Sequence, residues 1–192
     1  MLAFGHWGRP VLVFPSQGGD RWEWEREGMV AAVGGLLDAG RVKLYCVDSP
    51  YGAYEEWLLG HVVPVIHADC GGPTGIVATG ASIGAYHAAN LVLRRADVFP
   101  LALCLSGVYD LDQVAGLGGD HLDWLRAHAS LQLVVGRGAW EDSTGSLEQT
   151  HRFAALLAEK GIRHELDVWG EEWPHDWPAW RSQISHHLPG FT

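Results

Sequence analysis

The chain has 192 residues, 47% of them hydrophobic and 19% charged, enough to bury a full core and too apolar for a disordered segment. A net charge of −10 disfavours nucleic acid and anionic membrane surfaces as partners. No apolar stretch approaches the ~20 residues of a membrane span; the start, Met1-Leu2-Ala3-Phe4-Gly5-His6, lacks the charged and long apolar regions of a signal peptide.

Short apolar runs alternate with helical patterns along the chain. The first strand is expected at 11–14 and leaves through Phe14-Pro15-Ser16-Gln17-Gly18-Gly19. A helix at 29–38, a strand at 42–47 and a helix at 54–66 follow. The strand at 76–79 runs into Gly80-Ala81-Ser82-Ile83-Gly84 and a helix at 83–95. Next come a strand at 101–105, a less regular helix at 120–129, and a strand at 131–135 that opens into a loop at 136–145. A helix at 147–160, a strand at 165–169, a loop at 170–176 and a helix at 177–187 complete the order. Strands bounded by glycine, proline or polar residues and free of alternation are covered on both faces. The pattern predicts an α/β fold in one domain, residues 1–192, with a mostly parallel sheet of about six strands and helices on both faces. Ligands then bind at the carboxyl ends of the strands.

The chemistry is concentrated in the strand–Gly-x-Ser-x-Gly–helix unit around Ser82. Such a unit is a nucleophile elbow: a turn too tight for bulky neighbours, with the serine oxygen free above the sheet. A serine hydroxyl needs a base, normally a histidine oriented by a carboxylate. In the order serine, acid, histidine, Ser82 is followed by Glu141 and Asp142 and then by His175. Of the eleven histidines, only His175 leaves the last strand just before a helix, which Asp176 can cap and Pro178 can start. Glu141 and Asp142 are adjacent, so at most one faces His175; the shorter side chain would hold the imidazole more rigidly, which favours Asp142. Two backbone N–H groups must meet the developing negative charge: Ile83, after the nucleophile, and Gln17, before Gly18-Gly19.

These residues, together with Leu105-Ser106-Gly107-Val108-Tyr109-Asp110, Gly136-Arg137-Gly138-Ala139-Trp140-Glu141-Asp142 and His175-Asp176-Trp177-Pro178-Ala179-Trp180, resemble the esterase family of α/β-hydrolases that includes esterase D-like enzymes and mycolyltransferases. The resemblance runs from Pro10 to Trp180 and implies Ser82 as nucleophile, His175 as base, Glu141 or Asp142 as acid, and Gln17 and Ile83 as oxyanion donors. Similar proteins carry extra segments after the second strand and after the Ser-Gly-Val-Tyr-Asp run. Here Asp48-Ser49-Pro50-Tyr51-Gly52 passes quickly into a helix and the stretch 111–119 is short and glycine-rich, which implies an open, shallow site.

Other features read as ordinary. Ser106 lacks the leading glycine of an elbow and is expected to be a turn serine. Trp22, Trp140 and Trp173 are candidates for an apolar substrate wall. Trp22-Glu23-Trp24-Glu25 could instead form an exposed edge that pairs with another subunit, which leaves a homo-oligomer open. No metal is expected: there is no C-x-x-C or H-E-x-x-H, and His186 and His187 are adjacent, so they should face different directions on their helix. No phosphate or dinucleotide loop is present, so no cofactor is expected. Cys46, Cys70 and Cys104 lie far apart, two of them in expected strands, which implies buried free thiols and the cytoplasm. The activity expected is hydrolysis of a small-molecule ester through an acyl-enzyme. An acyltransferase of the same chemistry and a non-catalytic binding scaffold are the alternatives; a peptidase fits less well, because nothing suggests a cleft for an extended strand.

Overall fold

A computed structural model describes residues 1–48 and 54–192. Its centre is a seven-stranded sheet in the order β1-β3-β2-β4-β5-β6-β7. β1 (Leu2–Phe4) is antiparallel to its neighbour and every other pairing is parallel. β2 (Arg9–Phe14), β3 (Val42–Cys46), β4 (Val77–Ala81), β5 (Leu101–Leu105), β6 (Ser130–Val135) and β7 (Arg163–Val168) match the six expected strands to within two residues at either end. β1 was not expected, because three residues are too few to show a period. It is held by register with β3, Leu2 opposite Cys46 and Phe4 opposite Leu44.

Side chains alternate across each strand, and this divides the core in two. Leu12, Phe14, Ala78, Cys104 and Leu133 point to one face, where α6 (Ile83–Arg95) and α9 (Ser146–Lys160) pack through Ala85, Ala88, Phe153 and Leu157. Val11, Val13, Leu103, Leu105 and Val134 point to the other, against Met29, Leu37, Trp180 and Ile184. Both faces are therefore covered, which is why the strands read as continuous apolar runs.

Two helices depart from expectation. The stretch 29–38 is two short helices, α2 (Met29–Ala32) and α3 (Gly34–Asp38), broken at Val33. The Gly34-Gly35 pair that follows is a poor helix former. The stretch from Tyr54 extends to Asp69 as α4 (Tyr54–Trp57), a π-helical turn (Leu58–Val62) and α5 (Val63–Asp69). Pro64, in the first turn of α5, has no N–H to return to the preceding turn, and the wider π turn absorbs the missing bond. Short helices α1 (Glu23–Arg26) and α7 (Leu111–Ala115) were not expected, whereas α8 (Gly119–His128) and α10 (Trp177–His187) were. The abbreviated connection at 49–52 lies outside the described residues. Among the described residues no helix is long and apolar enough to cross a membrane.

Candidate active site

The site stands at the carboxyl ends of β2, β4, β5, β6 and β7. Ser82 links β4 to α6 with φ 55° and ψ −119°, a conformation that costs a non-glycine residue of order 1–3 kcal/mol and persists only where the surroundings impose it. They do so here through two glycines. A Cβ on Gly80 would lie 2.5 Å from the Gly84 backbone, and a Cβ on Gly84 would lie 2.7 Å from the Phe14 carbonyl oxygen. The Ser82 N–H donates to the Leu105 carbonyl at 2.9 Å, tying the turn to β5.

His175 enters from the loop between β7 and α10. Its N–H donates to the Ala139 carbonyl at 2.9 Å, and Asp176 accepts from Trp177 N at 2.7 Å as the cap of α10. The edge of Trp180 meets the imidazole with ring centroids 5.0 Å apart. Nε2 of His175 lies 3.1 Å from Ser82 Oγ, and Nδ1 lies 3.0 Å from Glu141 Oε2. A carboxylate can only accept, so Nδ1 carries the proton and Nε2 is left free to take one from the serine hydroxyl.

The carboxylate at His175 is Glu141, not Asp142. Trp140 has φ 67°, and this reversal turns Glu141 inward, where it is 0% exposed, and Asp142 outward to solvent. The argument from side-chain length is overridden by the backbone. Glu141 Oε1 accepts from Ser106 Oγ at 2.5 Å and from Gly136 N–H at 3.3 Å, so both carboxylate oxygens are engaged. Ser106, expected to be a simple turn residue, is fully buried with φ 45°. Ser146 Oγ adds a contact at 3.2 Å to His175 Nδ1. The sequence marks Ser106 only by its place at the end of β5, and nothing in it marks Ser146.

The loop after β2 reaches the start of α6: a Cβ on Gly84 would lie 2.7 Å from the Phe14 carbonyl oxygen and 2.8 Å from that of Pro15. Ile83 opens α6, so its N–H has no partner within the helix. Gln17 belongs to the same loop, exposed at its tip. Glu23 fastens the loop from below. It is 7% exposed and accepts from Ser16 N–H and Ser16 Oγ, both at 2.7 Å. Burial raises its carboxyl above the ordinary glutamate range against these two bonds, which lower it. The Trp22-Glu23-Trp24-Glu25 run is thus a helical turn with Glu23 and Trp24 buried, rather than an exposed edge; Trp22 remains 47% exposed.

Trp140 is 60% exposed. Trp173 braces the loop that carries Glu141: its carbonyl accepts from Gly138 N–H at 2.9 Å, and its ring meets Trp169 edge-on at 4.7 Å. A cavity of about 680 Å³ lies between α6 and the α4 region, lined by Phe14, Tyr54, Leu58, Tyr86, His87 and Arg94 among others and by none of these tryptophans. Burial lowers the basicity of His87 there.

No family model matches this sequence, and no curated protein does. Solved structures do match its fold. A ferulic acid esterase superposes with TM-score 0.82 at 16% identity over 97% of this chain and 85% of its own. An S-formylglutathione hydrolase from Staphylococcus aureus follows with TM-score 0.72 at 14% identity, over 96% and 84%. MPT51 (FbpC1) from Mycobacterium tuberculosis gives 0.71 at 15%, over 98% and 90%. The fold is that of the α/β-hydrolases.

Proposed function

We propose that this protein is a serine carboxylic-ester hydrolase acting as one domain on small or medium acyl esters. The observation that carries the reading is the unbroken line of bonds from Ser82 Oγ through His175 to Glu141, built at an elbow strained to expose the serine. Ser82 Oγ attacks the ester carbonyl carbon while its proton passes to His175 Nε2. The oxyanion is held by the N–H groups of Ile83 and Gln17, the latter on the loop that Glu23 pins. The ester C–O bond breaks and His175 returns the proton to the leaving alcohol. Water, giving its proton to His175, then attacks the acyl carbon, and Ser82 leaves with that proton. The buried Glu141 stabilises the imidazolium at both stages and keeps the proton on Nδ1.

The esterases among the fold neighbours support an ester as substrate, and the triad makes a purely binding role superfluous. A cytoplasmic location belongs to this reading and rests on three free cysteines, two of them buried. The experiment is hydrolysis of short and medium p-nitrophenyl esters by the wild type and by Ser82→Ala, with the fold followed by circular dichroism. Turnover that vanishes in the variant supports the reading. Turnover that survives assigns the nucleophile elsewhere, and a folded but inactive wild type points to a binding scaffold. Product analysis with added alcohols distinguishes water from a second acyl acceptor.

A further inference from the structure

At the far edge of the sheet three metal-ligating side chains converge outside the site described above. Asp167, His186 and His187 each offer a ligand atom, and these atoms lie within 4.8 Å of one another. Adjacent residues on an α-helix point ~100° apart, so the two histidines were expected to diverge. They sit at the last turn of α10, where the chain tightens into the 3-10 helix Leu188–Phe191, and their rings meet edge to face at 4.8 Å. The expected divergence of the two rings does not hold at this turn.

We propose that Asp167, His186 and His187 form a binding site for a divalent transition-metal ion of the zinc type. Two imidazoles and a carboxylate are the donor set that suits such an ion, with a position left for water or a fourth ligand. An isolated contact of 3.0 Å between His187 Nε2 and Asp167 Oδ2 would be an ordinary surface ion pair. Three further features make it more. His186 supplies a third ligand. Trp169 Nε1 donates to Asp167 Oδ2 at 2.7 Å, the kind of outer contact that orients a ligating carboxylate. Glu165, two residues before Asp167 and therefore on the same face of β7, lines a concavity of about 370 Å³ together with both histidines, which adds a second carboxylate to the surroundings. Asp167 and His187 are 20 residues apart in sequence, and the chain between them carries His175. A bound ion would clip together β7 and the end of α10, the two elements that hold the His175 loop, and so stabilise the folded state by mass action.

The test is isothermal titration of ZnCl₂ into the untagged, EDTA-stripped full chain. The expected result is one site, with binding weakened tenfold or more in His186→Ala and in Asp167→Asn and unchanged in His151→Ala and Ser82→Ala. Zinc should also raise the unfolding midpoint of the wild type and not that of His186→Ala. No binding by the wild type overturns the proposal, as does an isotherm that His186→Ala leaves intact. None of these readouts requires esterase activity.

Discussion

Ser106 Oγ donates to Glu141 Oε1 at 2.5 Å, so a serine at the end of one strand holds the carboxylate that emerges after the next. Ser106 N–H donates in turn to the Val134 carbonyl at 2.7 Å, which fixes the serine to β6 itself. Glu141 is thereby referenced to two strands and not to its loop alone. Ser106→Ala leaves Oε1 with only the long Gly136 bond, and an under-satisfied buried acceptor costs about 1–3 kcal/mol. We expect a lower unfolding midpoint and, on p-nitrophenyl acetate, about a tenfold loss in kcat with little change in KM.

The two adjacent carboxylates should separate cleanly. Glu141→Gln keeps the shape but removes the charge that stabilises the imidazolium, and should lower kcat about a thousandfold or more. Asp142→Asn, on the solvent side of the same turn, should stay within about twofold of the wild type. The paired kinetics of the two variants decide the matter, and equal losses would mean the turn is rearranged in solution.

Glu23 should act through the loop it fastens. Glu23→Gln keeps one acceptor for the two Ser16 donors, so Gln17 is held less firmly; we expect kcat to fall about tenfold, in the manner of a weakened oxyanion donor. The variant also has a pH signature. Burial raises the folded-state carboxyl above its unfolded value, so the folded state binds a proton over a range where the unfolded state does not. Its contribution to stability therefore rises as pH falls through that raised value, and levels off below the ordinary glutamate range. Thermal unfolding from pH 7 to pH 4 should show the wild type gaining on Glu23→Gln as acid is added.

Thiol chemistry offers an independent check on the packing. Burial pushes the thiols of Cys46 and Cys104 up to about 12, so neither supplies thiolate at pH 8. Cys70 is partly exposed. Titration with a disulfide reagent at pH 8 should count one fast thiol in the native protein and three in denaturant; a second fast thiol would place one of the strands at fault.

Much of this was legible in the sequence, and the rest was hidden for physical reasons. Strands covered on both faces announce themselves as apolar runs, and the elbow announces itself by glycines that the backbone forbids any larger residue to replace. Ser82 and His175 followed from that order. The choice between Glu141 and Asp142 did not, because it is made by the positive φ of Trp140, and nothing in a bulky tryptophan signals such a turn. Ser106 was misread because its partner lies 35 residues on, across a strand boundary. The role of Glu23 is hidden because alternating Trp and Glu is compatible with an exposed edge as well as with a turn of helix. Helix geometry predicts that His186 and His187 diverge, and their position at the last turn of α10 relaxes that rule.

The order of the strands has a further consequence. β7 sits at the margin of the sheet, paired on one side with β6 alone, while β4, which delivers Ser82, is paired on both. An outer strand has fewer bonds to break, and proteins open from such margins before they melt as a whole. His175 hangs from that margin. Turnover should consequently disappear at a lower denaturant concentration than the far-ultraviolet signal of the helices. The proposed esterase activity would then serve as an early gauge of fraying, registering damage at one side while Ser82 is still in place.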